Sequence, residues 1–495
     1  MATLGIATAG EEDAGFITDA PPMIAPAIPS ASVKAIMTVG DTLPNGYRFE
    51  ALPDGIAIDP RGTSRFVVLV NHETSTVPFR GAADFDNAQL SRLVLKRGSG
   101  KVVDGRLAIP SSANFLRFCS NFLAGAAEGF DRPLLFTNEE TSDFVNRNGD
   151  AWPPGPGAVQ AGLVVAYDPD ADMFRSIPGM GRHNHENSVA IPGFGKAVIL
   201  SGDDTFSAPS SQLYMYIADD ADAVWNDQGH LYAFRGDGAN DYGDITPGSS
   251  FSGQFIPVPD ATADGDQSGL ETWSNDNDVF QFIRVEDIAY DRNDPYVVYL
   301  ADTGEPRAIP DATTGRLMRG PSGTQGPFPN GRIFKMVLDP NDPTIVHSIS
   351  ILIDGDALGA NSAGVLSLIH NPDNIETTAN SLLIQEDPGS QNKYASDDPN
   401  GTTARIWRYD LATGELSVVA RVNQSADPGA RQGDWESSGI VDASAAFGPG
   451  AFLVDVQAHT ISVENATIPD PTNPGSTINL KREGGQLLIL RIPGA

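Results

Sequence analysis

Two histidines and a glutamate stand close together in the segment GRHNHENSVA, Gly181 to Ala190, of a chain with seven histidines in 495 residues. Imidazole and carboxylate side chains are frequent metal ligands, so one interpretation of this segment is a metal site. The other interpretation is a polar loop with ordinary hydrogen bonds. The choice between them depends on which elements carry the other reactive side chains and where those elements meet.

Acidic residues recur near the ends of predicted strands along the whole chain. A single buried carboxylate favours its neutral form, but several carboxylates brought together stay ionised where multivalent cations compensate them. Each acidic motif taken alone also fits a turn carboxylate that caps backbone N–H groups or faces solvent. The recurrence favours metal binding, and carboxylates alone suit calcium. The residues are Glu73, Glu139, Glu140, Glu186, Asp203, Asp204, Glu286, Asp287, Asp373, Glu386, Asp387 and Glu436.

The charge balance narrows the classes of partner. The chain has 32 Lys and Arg against 64 Asp and Glu, which gives a formal charge of −32 and a pI near 4.4. Long-range repulsion argues against nucleic acid or an anionic membrane face, and the surface fits either a calcium-containing medium or simple solubility. No run of about 18 apolar residues predicts a transmembrane helix. The single Cys119 excludes an internal disulfide and leaves a buried thiol or a metal ligand.

Short β-branched runs alternate with turns rich in Gly, Asp, Asn and Pro after residue 35. Runs such as RFVVLVN from Arg65, GLVVAYDPD from Gly162 and PYVVYLADTG from Pro295 predict strands. With 51 Gly, 37 Pro and almost no helical period, the pattern predicts an all-β fold. We expect a single β-propeller over residues 36–495 with long loop insertions, and one or two β-sandwiches are the alternative. Residues 1–35, rich in Ala, Pro and Ser, are expected to form an irregular arm.

A propeller would bring strand ends from all blades to one axis, so residues far apart in sequence could share a site. Arg284 and Glu286, two positions apart in RVEDIAYD, then project to the same side of an extended segment. The polar segment 237–280 is too long for a simple turn, and long ordered loops of this kind are often functional.

The motifs, taken in order, resemble the PhoX-type alkaline phosphatases, a family of bacterial propeller proteins once catalogued under a domain of unknown function. The resemblance covers residues 50–460. It rests on LPDGIAIDPRG followed by VNHE, Cys119 followed by NEE, GRHNHE, RVEDIAYD, NPDNI with IQED, and DWESSGI followed by FLVDVQAH. The path from the cysteine to NEE is longer than in the family, and the family's twin-arginine export signal is absent from this sequence.

The resemblance implies a six-bladed propeller whose axial site holds Fe³⁺ and Ca²⁺ ions and cleaves phosphate esters. It implies that Arg284 and Glu286 form the catalytic pair and that the Arg284 guanidinium binds phosphate. Calcium would bind at Glu139 or Glu140. The implied metal ligands are Cys119, Glu186, Glu286, Asp373 and Glu436. Cys119 is either this ligand or an apolar core residue.

The resemblance also answers the question raised by GRHNHENSVA. Glu186 is the implied metal carboxylate, and His185 points to the opposite side if the segment is extended. Because His183 shares the face of His185, the histidine pair is expected to contact substrate or support the ligands and not to chelate an ion. We therefore expect His185 to bind substrate.

Three functions fit these observations. The first is a metal-dependent hydrolase of small-molecule phosphate esters, with no nucleic-acid partner and no membrane insertion. The second is a calcium-dependent propeller hydrolase of lactonase or phytase type, and the third is a non-catalytic, calcium-stabilised binding propeller. We expect a monomer in the periplasm or outside the cell, as a mature form without its signal. A cytoplasmic location is the alternative, because the N-terminus lacks the charged and apolar regions of a signal peptide.

Overall fold

The computed structural model describes residues 15–205, 211–391, 394–399 and 401–495. Four blades are separate four- or five-stranded sheets, and a nine-stranded sheet supplies two more. Innermost strands of neighbouring blades contact one another in chain order, and the innermost strand of the last blade contacts that of the first. The predicted all-β propeller with six blades is confirmed.

The blades are numbered in chain order, with their strands given from the axis outward. Blade 1 contains Pro53–Asp59, Arg65–His72, Gln89–Lys96 and Val102–Ile109; blade 2 contains Phe118–Ala124, Leu134–Glu139, Val164–Asp168 and Met173–Ser176. Blade 3 contains His185–Ala190, Ala197–Asp203, Leu213–Ala218, His230–Gly236 and Phe251–Pro257; blade 4 contains Val285–Tyr290, Val297–Asp302, Arg332–Asp339 and Asp342–Asp354. Blade 5 contains Pro372–Thr377, Ser381–Glu386, Arg405–Asp410, Leu416–Val422 and Ile24–Pro26; blade 6 contains Trp435–Asp442, Ala451–Pro469, Thr477–Arg491 and Ser32–Thr38.

Smaller elements lie in the loops within and between the blades. Ala82–Asp84 pairs in parallel with Thr477–Arg491. Two short hairpins are Phe144–Val145 with Val159–Gln160 and Ala308–Pro310 with Leu317–Arg319. The α-helices of the described residues are Ala221–Trp225, Asp260–Ala263, Gln267–Asp276 and Ser444–Phe447. None of them is long and apolar enough to span a membrane.

Strands near the N-terminus complete two of the blades. Ser32–Thr38 pairs with Thr477–Arg491, so one sheet contains strands from both ends of the described chain. Ile24–Pro26 adds an outer strand to blade 5. The predicted irregular arm at residues 1–35 thus contains strands from residue 24 onward, and its first 14 residues lie outside the described part of the chain.

A hydrophobic cluster fills each gap between neighbouring blades. Between blades 2 and 3, for example, Phe136 and Val164 pack with Ile199 and Tyr214. Because neighbouring blades cover both faces of a sheet, strands such as Leu134–Glu139 are buried at every position instead of alternating. This packing explains why the apolar runs in the sequence are continuous.

The polar segment 237–280 joins blades 3 and 4. Its strand Phe251–Pro257 pairs with Asp342–Asp354, which merges the two blades into one nine-stranded sheet. The helix Gln267–Asp276 follows and buries Leu270 in the cluster between blades 2 and 3. The segment therefore has secondary structure of its own, as its length indicates.

Candidate metal centre

A cavity of about 580 Å³ opens at one end of the propeller axis. Eight carboxylates line this cavity, and so many close together are stable only if cations or protons compensate their charge. Cys119, Arg284 and His459 also line the cavity. The carboxylates of the lining are Glu73, Glu140, Glu186, Glu286, Asp373, Asp387, Asp434 and Glu436.

A β-bulge near the start of every innermost strand aims a side chain at the axis. A bulge twists its strand locally and re-aims the residues within it. The same distortion in six successive blades gathers residues that are far apart in the sequence. The residues placed in or beside the six bulges are Asp54, Cys119, Glu186, Glu286, Asp373 and Glu436.

The second strand of a blade runs antiparallel to the first, so its end reaches the same region. Glu73, Glu140, Asp204 and Asp387 each directly follow the last residue of such a strand. Neighbouring side chains of an extended segment point to opposite sides. Where two acidic residues are adjacent at the end of such a strand, the first carboxylate thus makes hydrogen bonds within the blade and the second faces the axis.

Four groups of three possible ligands overlap in a row across the site. Within each group, one ligand atom from each residue lies within 4.8 Å of the others. Cys119, Glu186 and Asp373 each belong to two groups, so the row suits several ions close together. The groups are Asp54–Glu73–Cys119, Cys119–Glu140–Glu186, Glu186–Glu286–Asp373 and Asp373–Asp387–Glu436.

The electrostatics of these side chains fit bound cations. Asp54 Oδ1 is buried and accepts no hydrogen bond from the described residues. Burial and repulsion from Glu436 raise the pKa of Asp54 to about 7, and burial and repulsion from Asp54 raise the pKa of Glu73 to about 8. Burial and repulsion from Asp54 raise the pKa of the Cys119 thiol well above its usual value. A cation would stabilise all of these anions, and oxygen ligands with one thiolate suit calcium and iron.

Neutral donors hold the first ligands in place. Gln457 Nε2 donates to Asp54 Oδ2 at 2.8 Å and to Glu73 Oε2 at 3.0 Å. The Ser438 hydroxyl lies 2.9 Å from both Asp54 Oδ2 and Glu436 Oε1 and bridges these carboxylates. Gln457, Ser438 and Asp54 were not predicted from the sequence as site residues. Their only signal was their presence in the family-like motifs LPDGIAIDPRG, DWESSGI and FLVDVQAH.

Arg284 contributes a guanidinium group to the lining of the axial cavity. Asp204 accepts from its Nε at 2.7 Å and from its Nη2 at 2.5 Å, and Glu286 Oε1 lies 3.1 Å from Nη2. Asp204 thus fixes the plane of the guanidinium at the cavity wall. Arg284 and Glu286 lie on one side of their segment, as their two-residue spacing predicts.

His459 is a further cation at the cavity that the sequence analysis did not select. Its Nδ1 lies 2.6 Å from Glu483 Oε2, and its Nε2 lies 3.6 Å from Glu436 Oε2. The side chain of His459 is 38% exposed; its partial burial opposes protonation, but Glu483 and Glu436 outweigh this effect and raise the pKa of His459 well above its usual value. The imidazolium therefore adds positive charge beside the carboxylates.

His185 lies away from the cavity. Its Nδ1 lies 2.8 Å from Ser201 Oγ, and its Nε2 lies 3.1 Å from the Gly181 carbonyl oxygen. Its ring centroid is 3.5 Å from that of His183, so the pair shares the face opposite to Glu186, as the alternation predicts. That face is the protein interior, and the fully buried His185 does not have the access that the expected substrate contact requires.

Glu139 also lies outside the cavity, although it is adjacent to Glu140. Arg147 donates to both of its carboxylate oxygens at 2.8 Å, and the N–H groups of Leu116 and Leu163 donate at 2.9 and 3.3 Å. These bonds use the Glu139 carboxylate within its own blade. Of the two alternatives for calcium, the structure brings only Glu140 to the ligand groups.

The adjacent glutamates provide a matched pair of variants. Glu140→Gln is expected to lose more than about half of the bound metal, because the amide lacks the charge that a cation requires. Glu139→Gln is expected to keep its metal and to unfold more easily by about 1.5–3 kcal/mol, because Arg147 loses a charged partner. Elemental analysis and denaturant unfolding on the same preparations measure both effects. Equal metal loss in the two variants would contradict this division of roles.

The resemblance of this protein to known proteins lies in its fold. No family model matches the sequence, and no curated protein matches it significantly. The structure is similar to that of Pseudomonas fluorescens PhoX, solved in complex with vanadate, a transition state analogue, with a TM-score of 0.62, 17% identity, and coverage of 96% of this chain and 97% of that one. A PQQ-bound aldose sugar dehydrogenase from Streptomyces coelicolor gives a TM-score of 0.35 at 11% identity, covering 95% of this chain and 100% of that one. At 17% identity, the similarity to PhoX concerns the fold alone.

Proposed function

We propose that this protein is a metal-dependent phosphate-ester hydrolase that works in the axial cavity. The observation that carries the proposal is the row of four overlapping ligand groups beside the Arg284 guanidinium. Closely spaced metal ions and a positively charged fork are what a phosphoryl group in an in-line displacement requires. The similarity of the fold to that of PhoX supports the proposal.

Fe³⁺ and Ca²⁺ are the proposed ions. Fe³⁺ ions would bind around Glu186, with Cys119 on one side and Glu286 on the other, because the thiolate favours a transition metal over calcium. Ca²⁺ would bind at the remaining carboxylates, among them Glu140 and Glu436. Ions bound there supply Lewis acidity toward the oxygens of the phosphoryl group.

Arg284 is the proposed phosphate-binding residue. The bonds to Asp204 use Nε and one N–H of Nη2 and hold the plane of the guanidinium before substrate arrives. Phosphoryl oxygens would then be met by the opposite Nη1–Nη2 edge, which also faces Glu286. His459, kept protonated between two carboxylates, adds positive charge on another wall of the cavity. The chain thus supplies an anion site inside a strongly acidic protein.

Arg284→Lys is expected to keep its metal and to lose kcat/KM by about 10- to 1,000-fold, equivalent to about 1.4 to 4 kcal/mol. A lysine is a point charge and cannot reproduce a planar pair of bonds. Steady-state kinetics with elemental analysis of the same sample measures this effect. If the Arg284–Glu286 pair only closes a blade, the variant will instead lose stability without a specific loss of turnover.

The substrate class is tested with three compounds of different chemistry. Purified protein loaded with iron and calcium is expected to release phenol from phenyl phosphate, from diphenyl phosphate, or from both. A simple lactone should remain intact. Hydrolysis of the lactone without any phenol release from the phosphate esters would favour the calcium-dependent lactonase instead.

Cys119→Ser separates an iron-containing centre from a calcium-only centre. The variant is expected to lose most of its iron and activity while its calcium content and fold remain, because a hydroxyl is a poor substitute for a thiolate. Elemental analysis and circular dichroism provide the comparison. Unchanged metal content and activity would assign Cys119 to the core.

A location in the periplasm or outside the cell forms part of the proposal. Carboxylate-rich calcium sites fill most readily where calcium is abundant, and the charge of −32 suits such a medium. Fractionation of cells that produce the protein from its native gene would test the location. Recovery with the cytoplasmic markers would contradict it.

A further inference from the structure

A side cavity of about 250 Å³ adjoins the axial cavity. The two cavities share Glu73, Phe79, Glu140 and His459 in their linings. Leu52, Val77, Ala82 and Ala83 give the side cavity an apolar wall. An ester with its phosphate in the axial cavity would therefore extend its organic part into this space.

Most of the charged groups in the side cavity already have a role. Glu73 and Glu140 belong to the ligand groups. His459 and Lys481 both pair with Glu483.

Arg117 and Asp84 are the remaining charged residues of the side cavity. Asp84 Oδ2 accepts from the Ser75 N–H at 2.9 Å. Within the described residues, no carboxylate lies within the 4.0 Å ion-pair distance of the Arg117 guanidinium. Arg117 acts electrostatically on Asp84 at a longer distance, so it is a positive group at this cavity that no ion pair within the described residues neutralises.

Backbone bonds and an aromatic ring hold Arg117 in place. Its N–H donates to the Thr74 carbonyl oxygen, and its own carbonyl oxygen accepts from the Glu140 N–H, both at 3.0 Å. Its guanidinium carbon lies 5.6 Å from the centroid of the Phe79 ring. Phe79 is 57% exposed, and its contact with the guanidinium gives this exposed ring a structural role.

We propose that Arg117 binds a second anionic group on the organic part of the substrate. This inference rests on the proposed function and names its substrate class: phosphate esters that also carry a carboxylate or a further phosphate. A second anion would otherwise meet Asp84 and Glu483 in a strongly acidic protein. The guanidinium fork matches the planar geometry of a carboxylate and the oxygens of a phosphate.

The test compares phenyl phosphate with 4-carboxyphenyl phosphate, which differ by one anionic group. The ratio of kcat/KM for the carboxylated ester to that for the plain ester is expected to fall about 10- to 100-fold in Arg117→Ala, mainly through KM. High salt should reduce the difference between the parent and the variant. An unchanged ratio in Arg117→Ala would overturn the inference.

Arg80→Ala is the matched control. The Arg80 guanidinium carbon lies 4.8 Å from the centroid of the same Phe79 ring, but Arg80 lines neither cavity. This variant removes the same charge and an equivalent ring contact, and its ratio should stay at the parental value. An equal fall in both variants would overturn the inference, because it would reflect charge near the ring and not binding in the cavity.

Calorimetry separates failure of this inference from failure of the proposed function. If the parent hydrolyses neither ester, the proposed function fails, and the affinities of the metal-loaded proteins for the two esters decide the role of Arg117. Tighter binding of the carboxylated ester by the parent, lost in Arg117→Ala, would support the inference. Equal affinities for the two esters in the parent would overturn it.

Discussion

Glu186→Gln is expected to lose the metal held by the two ligand groups that contain Glu186 and to lower kcat/KM for a phosphate ester by at least about 1,000-fold, or about 4 kcal/mol of transition-state stabilisation. Glu186 belongs to two ligand groups, one with Cys119 and Glu140 and one with Glu286 and Asp373. Loss of its charge would therefore weaken metal binding at the two middle ligand groups of the row, not at one end of it. The amide keeps the size of the side chain, so the effect isolates the charge.

The hydrogen bonds around Glu186 sharpen this expectation. The Ser120 hydroxyl donates to Glu186 Oε1 at 2.9 Å and accepts from Asn374 Nδ2 at 2.7 Å. A glutamine can turn its amide oxygen toward Ser120 and keep this bond. We therefore expect the fold of the variant to remain intact while its metal is lost.

Glu128→Gln is the control for Glu186→Gln. Glu128 is a buried glutamate that lines a different cavity, of about 140 Å³, where its Oε1 accepts from the Tyr290 hydroxyl at 2.6 Å. It belongs to none of the ligand groups. Elemental analysis and kinetics on both variants make the comparison. Parental metal content and activity in Glu186→Gln would show that Glu186 is not a metal ligand of the site.

Removal of all metal is expected to lower the apparent melting temperature by more than about 5 °C at alkaline pH, because the ligand carboxylates then repel one another. The loss should be smaller in mildly acidic solution. Burial and mutual repulsion raise the pKa of Asp54 to about 7 and that of Glu73 to about 8. Both carboxyl groups are ordinary acids in the unfolded chain, with pKa values near 4.

The sign of the pH dependence follows from these shifts. Between pH 4 and pH 8 the folded metal-free protein holds more protons than the unfolded chain, so its stability falls as the pH rises. The contribution of Asp54 and Glu73 to this destabilisation develops across that window. Bound cations replace the protons, so the metal-loaded protein should be less sensitive to pH.

Melting curves of stripped and reloaded protein from pH 5 to pH 9 measure this effect. The difference in melting temperature between the two forms is expected to widen between pH 5 and pH 8. A difference that stays constant over this range, or a melting temperature indifferent to metal, would contradict the assignment of these carboxylates as ligands.

The fold was predictable from the sequence because its cause is local. Apolar β-branched runs between Gly, Asp, Asn and Pro turns can form strands but no helical face. The bulges could not be predicted, because one extra residue in a strand leaves little mark on its composition. The bulges nevertheless aim Asp54, Cys119 and Glu186 at the axis.

The candidate site was predictable in its chemistry but not in its membership. The acidic motifs indicated carboxylates near strand ends, yet the sequence did not distinguish Glu139 from Glu140. Glu139 differs from Glu140 because Arg147 donates hydrogen bonds to its carboxylate. Arg147 lies eight residues further along the chain, so the pair of glutamates alone does not show which one is engaged. The expected substrate contact of His185 would require both faces of its strand to reach the cavity, whereas Glu186 lines the cavity and His185 does not.

The most direct test of the central claim is reconstitution of stripped protein with Fe³⁺ and Ca²⁺, with phosphate release from phenyl phosphate measured against the amount of bound metal. Stripped protein is expected to work at less than about 1% of the reconstituted rate, and the rate should rise in proportion to metal content. Full activity in protein shown to be free of metal would contradict the account. So would the absence of phosphate release from every phosphate ester tested at full metal occupancy.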